Sequence, residues 1–187
     1  MLSALAELLQ ERSLGEIGID EISARAGVTR SAFYFYFATK PAAVAALMSE
    51  VFSAIIAATS AFFERATGTP RERLRESLTQ GAATWHEHGN LVRALYDGAG
   101  NDPEIGGLLD HWLEQFIEVT AQRIERERAA GRAPEGTDAH PLAAVLIGMN
   151  ERAFLRDLRA GSPPEQIEQT VTALVDAWAS TLYRDLG

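Results

Sequence analysis

Leucines recur at Leu2, Leu5, Leu8 and Leu9, with Glu7, Gln10 and Glu11 between them. Steps of three and four put one apolar stripe on a helix. A first helix is therefore predicted to end near Arg12, with Gly15 and Gly18 bracketing its exit. A short second helix is predicted from Ile19 to Ala26. Gly18 takes its N-cap position and Glu21 follows three residues later, a capping box without its hydroxyl. Gly27 suits a left-handed residue just past that helix. Thr29 then caps a third helix reaching about Phe37, and Thr39 caps a fourth that tolerates Pro41 in its first turn.

Longer helical patterns follow. Val44, Leu47, Met48, Val51, Phe52, Ile55 and Phe62 line the fourth helix. Thr69-Pro70 opens a fifth, running from about Pro70 to His88. Gly89-Asn90 breaks it, and a short sixth reaches about Ala99. Asn101-Asp102-Pro103 opens a seventh, with Ile105, Leu108, Leu109, Trp112, Leu113, Phe116, Ile117 and Ile124 as its stripe. Gly131 to Gly136 reads as a loop. An eighth helix is predicted from about Asp138 to Ala160 and stops at Gly161-Ser162-Pro163-Pro164. The ninth carries Ile167, Val171, Leu174, Val175, Trp178 and Leu182. No convincing strand, internal repeat or low-complexity linker is found. The fold class is all-α, with nine helices. The first three form a small head, residues 1–40, and the fourth joins it to a larger body, residues 41–187.

Composition narrows the function. At 187 residues and 47% hydrophobic content the chain can bury a full core. No apolar run is long enough to span a membrane. The start lacks a basic leader and a small-residue cleavage site, so it is not read as a signal peptide. Cysteine is absent, which excludes disulfides, thiolate metal sites and a cysteine nucleophile and fits a reducing cytoplasm. The net charge of −9 argues against nucleic acid until its distribution is considered. Residues 1–40 hold four basic and five acidic side chains, so nearly all the excess lies in residues 41–187. From Ile22 to Ser49 there is no acid, while Arg25, Arg30 and Lys40 are present. One acid-free surface can meet phosphates while the rest of the chain stays acidic.

The head also has the parts of a duplex reader: a short bracing helix, a glycine turn and a helix small enough for the major groove. Ile22 and Ala26 share a face. Phe33 and Phe37, also four apart, can both point inward against that face and the first helix; Ile19 and Val28 are the other apolar positions of the head. Tyr34 and Phe35 then project elsewhere, with Tyr36 at the margin. A tyrosine can pack its ring while its hydroxyl reaches a phosphate oxygen. Thr29, Arg30 and Ser31 occupy the first turn of the third helix, where anions are favoured and base edges come close. Arg30 could pair with guanine, and Lys40 could clamp the flanking backbone. The candidate DNA-binding residues are Thr29, Arg30, Ser31, Tyr34, Tyr36 and Lys40. Helix–turn–helix pieces also occur in bundles that bind nothing, and aromatics at helical spacing usually form core.

The ordered run Ile19-Asp20-Glu21-Ile22, Ala26-Gly27-Val28-Thr29-Arg30, Phe33-Tyr34-Phe35-Tyr36-Phe37 and Thr39-Lys40 resembles the DNA-binding domain of the TetR family of bacterial transcriptional regulators. Gly18 departs from the usual Ser or Thr cap, and Ser23 stands where the family usually has alanine. Met149-Asn150-Glu151-Arg152 and Trp178 resemble one branch of the family. The resemblance implies a nine-helix TetR-type fold: a helix-turn-helix head on a ligand-binding and dimerisation body. It implies a homodimer on a near-palindromic operator, placing two third helices in major grooves about 34–36 Å apart. It also implies a dimer contact through the eighth and ninth helices. Their Leu142, Val145, Leu146, Leu158, Val171, Leu174 and Leu182 offer more apolar area than one internal face needs, unless the two helices simply bury one another. A small hydrophobic effector would enter between the fifth to eighth helices, shift the fourth helix and release the DNA. Candidate lining residues are Trp85, Trp112, Leu113, Phe116, Met149, Asn150, Phe154 and Trp178. Each aromatic could equally be plain core, whereas Asn150 is a polar amide amid Leu146, Met149 and Phe154.

Catalysis finds little support. His86 and His88 are two residues apart and so lie on different helix faces. His111 and His140 are isolated in sequence, and Asp110-His111 brings no nucleophile with it. Paired Glu-x-x-His ligands are absent, as are a P-loop, a dinucleotide turn and a G-x-S-x-G elbow. No metal or cofactor is expected. The alternative to a DNA-binding repressor is an all-helical small-molecule binding or scaffold protein whose head reads no DNA.

Overall fold

In a computed structural model of the protein, residues 1–64 and 68–183 are described, with side chains at all of these except 50 and 54–64. The predicted apolar positions Ile55 and Phe62 thus lie outside the described side chains. Nine α-helices and no strand occur among the described residues: α1 Leu2–Glu11, α2 Ile19–Arg25, α3 Arg30–Tyr36, α4 Lys40–Glu64, α5 Pro70–Glu87, α6 Gly89–Ala99, α7 Pro103–Ala129, α8 Ala139–Ala160 and α9 Pro164–Leu182.

The sequence signals sit where they were expected to act. Thr29 Oγ1 accepts from the Ala32 N–H at 3.2 Å, starting α3. Thr39 Oγ1 accepts from the Ala42 N–H at 3.1 Å, starting α4. Thr69 and Glu72 exchange bonds at the head of α5: the Thr69 N–H donates to Glu72 Oε2 at 2.7 Å and the Glu72 N–H to Thr69 Oγ1 at 3.2 Å. Asp138 caps α8 through the His140 N–H at 3.0 Å. Gly27 and Gly161 adopt φ of +67° and +61° just beyond α2 and α8, a conformation that a Cβ disfavours.

The chain divides into two compact units. Residues 1–54 and 88–111 form the first. Leu5, Leu8, Ile22, Phe33, Val44, Met48 and Leu95 are fully buried in it, and each such side chain contributes roughly 1.5–3 kcal/mol of burial free energy. Leu14 and Ile17 are buried too. They begin and follow a 3-10 turn over Leu14–Glu16 that hydrophobic spacing does not announce. The Ser13 N–H and hydroxyl both donate to Glu16 Oε2, at 3.1 and 2.7 Å, and fasten this turn. It packs on α6, as does α1. Gly98 of α6 permits a close approach of Ile105 on α7, since a Cβ on it would lie 3.0 Å from Ile105 Cδ1.

Residues 55–87 and 112–187 form the second unit. Here α9 packs on both α5 and α8. Leu74, Leu78, Ile124, Leu146, Phe154, Val175 and Trp178 belong to its core. On α7, Trp112 and Ile124 are buried, whereas Leu113, Phe116 and Ile117 are half-buried. Glu127, on the same helix, is 1% exposed. It accepts from Arg123 at 2.6 Å and from Arg132 at 2.9 and 3.0 Å. Burial alone would raise its carboxyl, but the Arg132 hydrogen bonds and the two guanidinium charges hold it below the ordinary carboxylate value. Among the described residues no helix is long and apolar enough to cross a membrane.

Candidate nucleic-acid interface and effector site

Helix α3 turns one face inward and the rest to solvent. Phe33 is completely buried and Phe37, half-buried, meets it at a centroid distance of 5.6 Å. Tyr34 is 45%, Phe35 83% and Tyr36 66% exposed. Tyr36 is therefore fully outward rather than marginal. Val28, an apolar position of the head, is exposed, while Ser23 is buried and its hydroxyl donates to the Ile19 carbonyl at 2.8 Å. That internal bond lets a hydroxyl stand where alanine is usual.

The first turn of α3 holds Arg30 and Ser31, both exposed. One guanidinium nitrogen of Arg30 donates to Asp20 Oδ2 at 2.6 Å and another to the Tyr34 hydroxyl at 3.3 Å. The guanidinium carbon also lies 5.5 Å from the Tyr34 ring centre. The hydrogen bond it donates to Asp20, then that to Tyr34, holds this guanidinium above its ordinary value, so it stays charged. Thr29 uses its oxygen as the helix cap. Lys40 is half-buried, and its ammonium donates to the carbonyls of Leu14 and Ile17 at 2.8 and 2.9 Å. An ammonium has three donors, so one remains beyond these two bonds. Sequence reasoning missed this tie because both acceptors are backbone atoms distant in sequence. Arg25 and Arg12 face their own acids: Arg25 pairs with Glu11 at 3.0 Å, and Arg12 pairs with Glu21.

All eight candidate effector residues lie in the second unit. The structure brings five together. Trp178 Nε1–H donates to Asn150 Oδ1 at 2.9 Å. The rings of Trp85 and Phe154 meet at 5.9 Å, and Trp85 and Met149 pack against the core that holds Phe154 and Trp178. Trp112, Leu113 and Phe116, on α7, lie outside that cluster. A separate cavity of about 450 Å³ opens between α5 and α9, lined by Ala82, Ala83, His86, Ile167 and Val171 among others, and none of the eight residues borders it.

Five of the seven apolar side chains noted on α8 and α9, namely Leu146, Leu158, Val171, Leu174 and Leu182, are buried within the protomer. Leu142 is half-buried and Val145 is 69% exposed. Most of that surface is thus buried within the protomer, where α9 packs on α5 as well as on α8, leaving a smaller outward remainder than the sequence suggested. His140, isolated in sequence, lies 2.8 Å from Glu114. Among the described residues no group of three or more His, Asp or Glu is placed to hold a metal ion.

A helix-turn-helix pair whose second helix exposes Arg30 and three aromatic rings, in an all-helical chain, is the arrangement of a DNA-binding transcriptional regulator, and the matches to known proteins agree. The chain belongs to the TetR family, in the group that shares the EthR carboxy-terminal domain. The model described as "Bacterial regulatory proteins, tetR family" matches residues 1–47, and that of "Transcriptional regulator EthR, C-terminal domain" matches residues 74–184. The HTH-type transcriptional regulator EthR of Mycobacterium tuberculosis (strain ATCC 25618 / H37Rv) is 29% identical over 184 residues, covering 98% of this chain and 85% of that protein. EthR of Mycolicibacterium smegmatis is 27% identical over 186 residues, covering 100% and 86%. Escherichia coli NemR in its reduced form superposes with a TM-score of 0.78 at 18% identity, covering 100% of this chain and 96% of that one. A TetR-like transcriptional regulator from Rhodococcus sp. RHA1 gives 0.67 at 22% identity, covering 96% and 92%. The last two comparisons show the TetR all-α fold.

Proposed function

We propose that the protein is a ligand-responsive transcriptional repressor that binds a palindromic operator as a homodimer and is released by a small apolar effector. The observation that carries the reading is the outward set on α3: Arg30, Tyr34, Phe35 and Tyr36 stand exposed while Phe33 is wholly buried. Residues 1–40 are the reading head and residues 41–187 carry effector binding and dimerisation. Arg30 contacts a base edge, Thr29 and Ser31 lie against the same groove, and Tyr34, Tyr36 and the remaining donor of Lys40 hold phosphates. Effector binding draws on Trp85, Trp112, Leu113, Phe116, Met149, Asn150, Phe154 and Trp178. The Asn150 oxygen already accepts from Trp178, which aims its amide nitrogen as a donor for an effector carbonyl. Release is a population shift: an effector that favours the non-binding conformation weakens DNA affinity by its differential affinity for the two states.

The test starts with duplexes selected from a random pool by the full-length protein. A repressor with several phosphate contacts loses affinity steeply as salt rises. Arg30→Ala should relax base preference while changing the salt slope little. Selection of no duplex, with retained binding of apolar amides, would leave the chain as a small-molecule binder and overturn the repressor reading.

A further inference from the structure

Phe35 is the most exposed of the large apolar side chains among the described residues, at 83%. Single exposed apolar residues are ordinary on protein surfaces. This one lies between two exposed tyrosines on the helix that the family turns toward DNA, and its angular position decides what it meets. Phe33 is fully buried and defines the inward line of α3. Phe35 follows by two residues, about 200° around the helix, and so lies nearly opposite. Ser31, four residues before Phe35, shares this outer ridge. Arg30 and Tyr34 flank the ridge on one side and Tyr36 on the other.

When such a helix lies in a major groove, its outermost ridge faces the base edges and its flanks face the two phosphate walls. A phenyl ring can neither donate nor accept a hydrogen bond there. Among the groups that base pairs show in the major groove, the thymine C5 methyl is the apolar one. The geometry points to Phe35 as a specificity-determining residue that selects thymine by packing on its methyl group. This role rests on the DNA-reading head proposed above. Tyr36 meets the Phe35 ring edge-on, with centroids 5.2 Å apart and planes at 87°, and braces it from the side.

Full-length protein is tested against a selected duplex made in two forms, with thymine or with uracil at every thymine position, so that the bases differ only by methyl groups. At fixed salt the wild type should bind the uracil form roughly fourfold more weakly for each methyl contacted, or about fifteenfold across two half-sites. Phe35→Ala should bind the thymine form with a similar loss and no longer distinguish the two. Phe35→Leu, which keeps apolar surface, should retain part of the preference. Unchanged helicity and melting temperature check that both variants fold. Uracil also alters duplex stiffness, an effect that would weaken wild type and Phe35→Ala alike. Equal losses in both proteins overturn the assignment, and so does a wild type indifferent to the methyl groups. Salt-dependent binding without methyl discrimination sinks only the role of Phe35; a wild type that selects no duplex sinks the repressor reading with it.

Discussion

Glu127 is the side chain whose removal should be felt most. It is buried between Arg123 and Arg132, and Arg132 also donates its backbone N–H to the Glu127 carbonyl at 2.9 Å. Glu127→Gln leaves the half-buried Arg123 guanidinium short of its countercharge, a loss of up to roughly 3 kcal/mol. For a chain of this size that is about 6–12 °C in melting temperature. The pH dependence follows from the depressed carboxyl. Its stabilisation is complete above the unfolded glutamate value of about 4.3 and fades as the pH falls through the lower folded value. Melting curves of wild type and Glu127→Gln should therefore differ most near neutrality and converge only in acid, as the pH falls below the depressed folded value. A constant gap across that range would mean that the charge of Glu127 is not what stabilises the site. Nothing in the sequence marked this residue, because an acid at helical spacing between arginines usually lies on a solvated face.

At the scale of helices, termini decide much of the head. Gly27 holds a left-handed turn and Thr29 caps the next helix, so both residues set where α3 begins. Gly27→Ala and Thr29→Ala should each cost about 1 kcal/mol, measurable by denaturant titration, and each should weaken duplex binding by misplacing α3. Full operator affinity in Thr29→Ala would show that the cap does not govern the reading helix. These caps were legible in the sequence because capping is local chemistry, written within four residues. The apolar stripe of α1 was legible for the same reason. The 3-10 turn at Leu14–Glu16 was not, since three residues hold no period. The tie from Lys40 to Leu14 and Ile17 was hidden as well, because it joins a side chain to carbonyls more than twenty positions earlier.

For the molecule as a whole, the proposed homodimer is tested at the outward face of α8. Val145 is exposed on α8, and a Cβ added at Gly148 would meet nothing within 4 Å, so this face has room for a partner helix. Sedimentation should give a mass near twice the 20.3 kDa of one chain, and Val145→Glu should shift it toward the monomer and lower operator affinity. A monomeric wild type that still binds a palindrome tightly would count against the twofold arrangement. The all-helical class and the outward aromatics of the head could be read from the chain, because periodicity reports burial one helix at a time. The placing of α6 in one compact unit with α1 could not, nor could the grouping of Trp85, Asn150, Phe154 and Trp178. Those depend on which stripe meets which, and many pairings satisfy the same stripes.

If Arg30 reads a base as proposed, its pairing with Asp20 and Tyr34 bears on how wrong sites are refused. Before any duplex arrives, the guanidinium already has two satisfied partners. A base pair that offers it a single acceptor gains nothing over the internal carboxylate, so Arg30 can stay where it is. Guanine, presenting two acceptors side by side, is the partner able to draw it away. Asp20 would then act as a built-in decoy: Asp20→Asn should strengthen binding to arbitrary DNA more than to the operator, narrowing the ratio between them.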